Sequence, residues 1–269
     1  MKHHKQTPET GNMKIVASIE ARMTSSRLPG KVLMKLHDGK PLLQLLVERI
    51  KQSSYVDEIV VATTTNREDD PVEKLAGEMG VAVFRGSEED VLGRVVSAVS
   101  SVSGDIIVEI TGDCPLLDPE MIDYVTGKFI TSYPHYHYVC NTGLGNPARH
   151  HVPVGMDVQV FLYRDLLEIS EITNDPDDRE HVSLFFYRTG RETYNLLNVE
   201  IPEKWKRPYP VRLTVDTDRD FRFIYHVYKH FQDTSSTMTL ENILNFCDDH
   251  PEIVAINSDV QQRQPPGCG

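Results

Sequence analysis

The chain has 269 residues, of which 39% are hydrophobic and 25% are charged, and its formal net charge is −12. This length and apolar content are enough for a sizeable buried core. The acidic balance argues against general binding of nucleic acid or of anionic membranes, because both require a basic protein surface. The sequence contains no apolar run of about 18 residues that would predict a membrane span, and we expect a cytoplasmic protein.

Four cysteines are scattered along the chain, at Cys114, Cys140, Cys247 and Cys268. They form no CxxC pair, which favours reduced thiols and gives little support to structural zinc. Residues 1–12 are polar and lack the apolar region of a secretory signal, so we interpret them as a leader or tag. We predict a single domain over residues 13–256 and a flexible polar tail over 257–269.

Short apolar strands alternate with amphipathic helices in the first half of the chain. Strands are predicted at residues 14–19, 58–63, 81–84 and 105–110, and helices at 41–50, 71–79, 88–102 and onward from 119. Ser87 and Asp118 are expected to cap the third and fourth helices, since short polar side chains accept hydrogen bonds from free helix amides. This alternation predicts a parallel α/β sheet, in which ligands bind beyond the carboxyl ends of the strands.

The second half of the chain has a less regular pattern. Strands are predicted at 136–141, 156–162, 193–199 and 211–215, and helices at 164–171, 178–187, 218–231 and 240–247. No internal repeat and no linker rich in glycine or serine divides the sequence. These features favour one mixed α/β domain with a small inserted lobe.

The strongest local signal for function is the segment RMTSSRLPGK, which follows the first predicted strand at residues 22–31. Its cations are Arg22, Arg27 and Lys31, and Gly30 permits a tight turn. Guanidinium forks, an ammonium group and free backbone amides together suit a triphosphate. The segment is not a Walker A loop, and the alternative is an ordinary basic surface turn. Its position after a strand favours phosphate binding.

Two carboxylates also follow predicted strands. Asp113 lies in TGDCP after the fourth strand, and Asp216 lies in VDTD after residues 211–215. Thr217 or Asp218 is expected to cap the next helix, which leaves Asp216 free to bind a ligand. Asp113 and Asp216 could meet over one Mg²⁺, which takes one or two protein carboxylates. The alternative is that Asp113 only caps a turn.

Other candidate residues carry weaker signals. Ser87 and Arg94, in GSEEDVLGR, could contact a base or phosphate, or could belong only to an amphipathic helix. Arg179 and His181 lie near a predicted helix start and would suit an anionic substrate. A cluster of histidines raises the alternative of a zinc site, although its spacings match no standard motif; it comprises His135, His137, His150 and His151.

Taken in order, RMTSSRLPGKVL, VVATTTNREDDPVEKLA, FRGSEEDVLGR, ITGDCPLLDPE, REHV and TVDTDRDF resemble the cytidylyltransferase-like family of the spore coat polysaccharide biosynthesis protein SpsF. That family is related to CMP-sialate and CMP-KDO synthetases. The resemblance runs from about residue 13 to about residue 230. It implies a Rossmann-like nucleotidyltransferase fold with a mixed, mainly parallel sheet flanked by helices, and usually a homodimer. It also implies CTP as donor, a sugar acid or related polyol phosphate as acceptor, and a role in surface polysaccharide biosynthesis.

The resemblance assigns roles by position. Nucleotide contacts are expected at Ala21, Arg22, Ser26, Arg27, Gly30, Lys31, Thr63, Ser87, Arg94, Gly112 and Asp113, of which Arg22, Lys31 and Asp113 would be catalytic. Mg²⁺ ligands are expected at Asp113 and Asp216, and acceptor contacts at Gly155, Asp157, Arg179, Glu180 and His181. This chain differs from the family pattern at Glu20, where the family usually has Gln, and over residues 146–154 before the Gly-x-Asp motif. The resemblance therefore leaves the identity of the acceptor open.

These residues predict in-line attack of an acceptor oxygen on the α-phosphorus of CTP, with pyrophosphate leaving. One alternative is a metal-dependent glycosyltransferase, because Asp216-Thr217-Asp218 spells the Asp-x-Asp pair that such enzymes use. The cationic segment at 22–31 argues against it, since that segment suits a free triphosphate. Another alternative is a nucleotide-binding protein without catalytic activity.

Overall fold

The computed structural model describes residues 10–146 and 151–263, and its centre is a seven-stranded sheet. The strands are β1 (Ile15–Glu20), β2 (Glu58–Thr64), β3 (Ala82–Gly86), β4 (Ile106–Thr111), β5 (Tyr138–Cys140), β6 (Gln159–Leu162) and β7 (Leu196–Asn198). Their order is β3-β2-β1-β4-β6-β5-β7. Only β6 runs antiparallel to its neighbours among these strands. The predicted mixed, mainly parallel sheet is confirmed.

Helices cover both faces of the sheet. They are α1 (Leu42–Ile50), α2 (Asp70–Glu78), α3 (Val91–Ser101), α4 (Pro119–Ser132), α5 (Tyr163–Ile172), α6 (Pro176–Glu180), α7 (Leu184–Tyr187), α8 (Asp218–Thr234), α9 (Leu240–Asp249) and α10 (Pro251–Val254). One apolar layer joins the sheet to α1, α4, α8 and α9, and a second joins it to α3, α5 and α7. Within the described residues, no helix combines the length and apolar character needed to cross a membrane.

Side-chain caps explain where several helices begin. Asp118 accepts a hydrogen bond from the Glu120 amide and caps α4, as predicted. Thr217 caps α8 through a reciprocal capping box with Asp220, in which each side chain bonds the other residue's backbone amide. The predicted cap at Ser87 is wrong, because α3 begins later and its cap is Asp90, which accepts from the Gly93 amide.

Two predicted elements of the second half differ from the structure. The predicted helix at 178–187 is broken into α6 and α7, since the backbone at His181 leaves helical geometry. The predicted strand at 211–215 is wrong, although its residues are buried. Its amides bond singly to two separate segments, with Leu213 donating to Val154 and Val215 donating to the Asp113 carbonyl. Residues 211–215 therefore do not form a strand of the sheet.

The strand order reverses direction between β1 and β4. The connection from β1 leads outward through α1 to β2, whereas the connection from β3 returns through α3 to β4 on the other side. The segments that follow β1 and β4 therefore separate and leave a crevice, which is where open α/β sheets bind ligands. The Gly112 amide donates to the Glu20 carbonyl at 2.9 Å and keeps the two strand ends together below it.

Candidate active site

A cleft of about 500 Å³ opens at the carboxyl ends of β1 and β4. Its walls come from the segment after β1, the beginning of α3, the break between α6 and α7, and the residue before the α8 cap. Eleven of the predicted site residues line it, namely Ala21, Arg22, Ser26, Arg27, Lys31, Arg94, Gly112, Asp113, Glu180, His181 and Asp216. The cleft therefore brings together predicted residues as far apart in the sequence as Ala21 and Asp216.

Two backbone contacts shape the cationic segment after β1. The Met23 amide donates to the carboxylate of Asp69, which is buried and also accepts hydrogen bonds from Thr64. The Gly30 amide donates to the Met23 carbonyl at 2.8 Å and closes the segment into a loop. Gly30 has a φ of 73°, a conformation that side chains disfavour. Its role is to turn the chain, since it does not line the cleft.

Lys31 joins the two predicted metal-binding carboxylates. Its Nζ lies 2.7 Å from Oδ2 of Asp113 and 2.9 Å from Oδ1 of Asp216. Burial would lower the pKa of Lys31, but the charges of Asp113 and Asp216 outweigh burial and raise it. The ammonium group is therefore charged, and it sits where the two carboxylates converge.

Asp216 is the most heavily paired carboxylate of the cleft. Arg27 contacts its Oδ1 at 2.8 Å, and the buried Arg212 contacts its Oδ2 at 2.6 Å. Burial would raise the pKa of Asp216, yet the positive charges of Lys31 and Arg27 outweigh it and lower the pKa. Arg212 also contacts Asp220, the partner of the α8 cap, at 2.8 Å. The start of α8 is thereby tied to the cleft.

Arg22 faces a different carboxylate at the mouth of the cleft. Its NH1 lies 3.1 Å from Oε1 of Glu88, which also accepts a hydrogen bond from Thr24. We call Arg22, Arg27 and Lys31 the cationic wall. Each of the three cations has at least one carboxylate partner within the protein.

The floor of the cleft has the opposite character. Glu20 on β1 and Glu109 on β4 line it, and we call this pair the acidic floor. Oε1 of Glu20 and Oε2 of Glu109 are buried without a hydrogen-bond partner in the described structure. Burial raises the pKa of Glu109 to about 7. Burial and then repulsion from Glu109 raise the pKa of Glu20 well above its usual value.

Arg94 extends across this floor from α3. It is 3% exposed, and its NH1 donates to the Ser87 carbonyl. Burial lowers its pKa, which the charge of Glu20 partly offsets. Its Nε has no partner in the described structure. Arg94 therefore supplies one positive charge near Glu20.

Besides Gly30, five predicted contacts lie away from the cleft lining. Thr63 is buried within β2, and the Ser87 hydroxyl accepts from the Asp90 amide at 3.1 Å. Gly155 packs against the backbone of residues 213–214, and Asp157 accepts from its amide. Arg179 donates to Ser170 and to the α3 cap Asp90, and so holds the neighbouring Glu180 and His181 against the cleft.

The structure adds residues that sequence reasoning missed. Asp69 anchors the loop, Arg212 orients Asp216, and Glu109, Gln159 and Arg263 line the cleft. A carboxylate within the apolar run of β4 was a signal for Glu109. Arg212 and Arg263 gave no local signal, because their significance depends on contacts across the fold. Asn257, assigned to the tail by sequence, is buried and donates to the Arg212 carbonyl.

Metal binding was predicted at two places. Within residues 10–146 and 151–263, no group of three or more His, Cys, Asp or Glu side chains is arranged to hold a metal ion. His150, one member of the alternative zinc cluster, lies outside the described residues. Asp113 and Asp216 both contact one cation, the Lys31 ammonium group, and Mg²⁺ binding by this pair stays a prediction.

Comparison with known proteins decides the family. The family model described as Cytidylyltransferase matches residues 16–258. The chain belongs to the cytidylyltransferase family. This cytidylyltransferase is 36% identical to the spore coat polysaccharide biosynthesis protein SpsF of Bacillus subtilis, over 80% of this chain and 86% of that protein. The predicted resemblance is confirmed.

Solved structures agree with the fold of the cytidylyltransferase. A cytidylyltransferase from Leptospira borgpetersenii superposes with a TM-score of 0.80 and 28% identity, over 94% of this chain and 100% of that one. CMP:2-keto-3-deoxy-manno-octonic acid synthetase complexed with CTP has a TM-score of 0.61 and 22% identity, over 81% of this chain and 99% of that one. The protein is a nucleotidyltransferase, and its family supports CTP-dependent cytidylyl transfer.

Proposed function

We propose that the protein joins CMP from CTP to a small acidic or sugar-like acceptor and releases pyrophosphate. The observation that carries this proposal is the bridge from Lys31 to Asp113 and Asp216 at the base of the cationic wall. A triphosphate that binds at this bridge could replace the carboxylates as the partner of the Lys31 ammonium group.

The cationic wall would bind the β- and γ-phosphates. Arg22 and Arg27 present guanidinium forks, which pair with phosphate oxygens in two parallel hydrogen bonds. Each would exchange a carboxylate partner, Glu88 or Asp216, for phosphate. Lys31 would stabilise the pyrophosphate as its negative charge grows, because a preoriented charge in a buried site stabilises a transition state strongly.

Asp113 and Asp216 would hold Mg²⁺. The fit rests on their convergence on one cation and on their oxygen ligands, which Mg²⁺ prefers alongside phosphate and water oxygens. When bound by these residues, Mg²⁺ would offset the negative charge of the phosphates. Arg212 would keep the Asp216 carboxylate turned toward this point through its 2.6 Å contact.

The acceptor would bind near Glu180 and His181, which line the cleft at the break between α6 and α7. An acceptor oxygen held there would attack the α-phosphorus in line with the departing pyrophosphate, and positioning would supply much of the rate. The relationship to SpsF supports a role in surface polysaccharide biosynthesis, and we propose that the enzyme acts in the cytoplasm as a homodimer.

The glycosyltransferase alternative loses support at Asp218. Asp218 is exposed at the first position of α8 and does not line the cleft. Of the two aspartates in the Asp-x-Asp motif, Asp216 lines the cleft and Asp218 does not. A donor that arrives as a nucleotide sugar also leaves the cationic wall without a free triphosphate to bind.

The test is pyrophosphate release from each of the four nucleoside triphosphates with Mg²⁺, against a panel of sugar acids and phosphorylated sugars. We expect release from CTP, its loss in Asp216→Asn and its retention in the matched control Asp218→Asn. Equal loss in both variants would contradict the site assignment. Transfer from CMP-sugars without pyrophosphate release would favour the glycosyltransferase.

A further inference from the structure

We propose that the acceptor carries a protonated amino group and that the acidic floor, Glu20 and Glu109, binds it. This inference rests on the proposed function and specifies the class of its second substrate. It requires that the two carboxylates face one place, that each keeps an oxygen without a hydrogen-bond partner in the described protein although Ser183 bonds to Glu109, and that an ammonium group suits them better than other ligands.

The sheet places both carboxylates on one face. Glu109 pairs in register with Ser18 of β1, and Glu20 lies two residues further along that strand. Side chains two residues apart on a strand point to the same face. Gln159 of β6 pairs with Glu109 on the other side, and it also lines the cleft. A polar row thus crosses three strands below the cleft.

The protein leaves this row incompletely paired. Glu109 is 6% exposed and Ser18 is fully buried, and an oxygen of each lacks a hydrogen-bond partner within the described chain, as does Oε1 of Glu20. Neither carboxylate forms an ion pair within 4.0 Å in that part of the molecule. Orphaned buried polar atoms are uncommon in native proteins, and they call for an explanation such as a missing ligand.

The floor carries two carboxylates and has one cation close enough to act on it. That cation is Arg94, whose charge acts on Glu20 and whose NH1 is engaged by the carbonyl groups of Ser87 and Glu88. Ionisation of both carboxylates would leave one negative charge unmatched, and the raised pKa values of Glu20 and Glu109 reflect the cost of that ionisation in the absence of a further cation. A buried charge is costly unless a counter-charge and hydrogen bonds accompany it. A ligand cation would supply both.

An ammonium group matches this site better than a metal ion does. It offers three hydrogen-bond donors, and the floor offers unpaired acceptors on Glu20 and Glu109. A divalent cation prefers six or more oxygens, and its double charge would be repelled by Arg94 more strongly than the single charge of an ammonium group. A hydroxyl group donates one hydrogen bond but brings no charge, so it would leave the negative charge unmatched.

The position of the floor also suits a second substrate. Asp113 follows Glu109 by four residues, past the end of β4, so the floor lies directly below the Lys31 bridge. A small acceptor could anchor its amino group on the floor and present an oxygen upward to the nucleotide. The amino group would then fix the acceptor without taking part in the chemistry.

The test compares acceptors that differ only in the amino group. We would use glucosamine 1-phosphate against glucose 1-phosphate, and glucosaminic acid against gluconic acid, with CTP and Mg²⁺. Wild-type enzyme should prefer the amino member of the productive pair in kcat/KM. Glu109→Gln and Glu20→Gln should each reduce that preference about 30-fold, the scale expected when one charged partner of a buried pair is removed. The exposed Glu78→Gln should leave the preference unchanged.

The pH dependence gives a second readout. The amino acceptor requires ionised carboxylates, so its KM should fall as pH rises through about 7, where Glu109 ionises, while the KM of the hydroxyl acceptor should not. Other titratable groups around Glu109 are Glu20 from β1, Arg94 from α3, Asp113 after β4 and His181 after α6, which line the same cleft, and Tyr138 from β5, whose pKa burial raises and the charge of Glu109 raises further. Glu109→Gln should flatten the trend, and Glu20→Gln provides the same test if that variant fails to fold.

Each contrary outcome is distinct. Equal or better use of the hydroxyl acceptors, or equal losses on both acceptors in the Gln variants, would overturn the inference and leave the proposed function intact. Loss of one bound Mn²⁺ in Glu109→Gln without a change in acceptor preference would assign the floor to a metal instead. Absence of pyrophosphate release from CTP with every acceptor would overturn the proposed function itself.

Discussion

The cationic wall and the acidic floor lie within one cleft but satisfy their charges in different ways. Every cation of the wall has a carboxylate partner, such as Asp216 for Arg27 and Lys31. The floor carboxylates Glu20 and Glu109 have unpaired oxygens in the described structure. The wall is therefore internally paired, whereas the floor keeps unpaired acceptors; under our proposals a ligand would replace partners at the wall and add one at the floor.

The two regions also respond to pH in opposite directions. The pKa of Asp216 is lowered, so its contribution to stability is present above its unfolded value and is lost as pH falls. The pKa of Glu109 is raised to about 7, so its contribution is lost as pH rises from its unfolded value toward 7. Substitutions in each region should separate these behaviours.

The largest expected effect is on stability, from Arg212→Met. This change leaves the buried carboxylates of Asp216 and Asp220 without their shared cation. Breaking a buried ion pair from one side typically costs about 3–5 kcal/mol. Chemical denaturation should report this loss, whereas the exposed Arg222→Met on α8 should change the unfolding free energy little. Equal stability of the two variants would contradict the anchoring role of Arg212.

The next largest effect is on catalysis, from Lys31→Ala. We expect kcat/KM for CTP to fall about 10²–10³-fold, the range found when one preoriented group that stabilises transition-state charge is removed. Pyrophosphate release measures the change, and the exposed Lys35→Ala is the matched control. Normal turnover by Lys31→Ala would show that the cationic wall does not bind the leaving group.

Glu109→Gln should change how stability depends on pH. Between the unfolded pKa and about 7, the folded wild-type protein binds more protons than the unfolded chain, so its stability falls as pH rises. Glutamine does not ionise, and the variant should gain on the order of 2–3 kcal/mol relative to wild type from pH 4 to pH 8. Thermal melts at each pH report the difference in stability. If stability depends on pH in the same way for the two proteins, ionisation of Glu109 does not destabilise the fold.

The smallest effect is expected from Thr217→Ala, which removes the cap of α8. Loss of a side-chain cap costs about 1 kcal/mol, or a melting temperature lower by about 2–4 °C. Thr239→Ala removes the corresponding cap of α9 and should cost about as much stability. Because Asp220 links the α8 cap to Arg212, only Thr217→Ala should also slow turnover, and equal activities would contradict that link.

Local sequence patterns predicted the parts of the molecule that depend on local physics. The alternation of apolar strands and amphipathic helices predicted β1 to β4, and the composition of residues 22–31 predicted a cationic loop after β1. The sequence indicated that Asp113 and Asp216 could meet, because each follows a predicted strand. Both contact Lys31, but Asp216 follows a buried segment that belongs to no strand, so the strand rule does not account for its position.

The missing parts depend on contacts between distant segments. Ser87 has the composition of a cap, yet Asp90 takes that role because α3 starts later. The apolar residues at 211–215 have strand propensity, but their amides are used by two different neighbours. No local pattern shows that Arg212 faces Asp216 and Asp220, since burial and pairing are decided by the whole fold.

The location of the acidic floor has a consequence for engineering. Glu20 and Glu109 belong to β1 and β4, the two central strands, and not to the loops that follow them. Grafting the loops of this chain onto a relative would transfer the entrance and leave the anchoring carboxylates behind. Preference for the acceptor should therefore depend on residues of the sheet. Transferring that preference between relatives should require substitutions within β1 and β4.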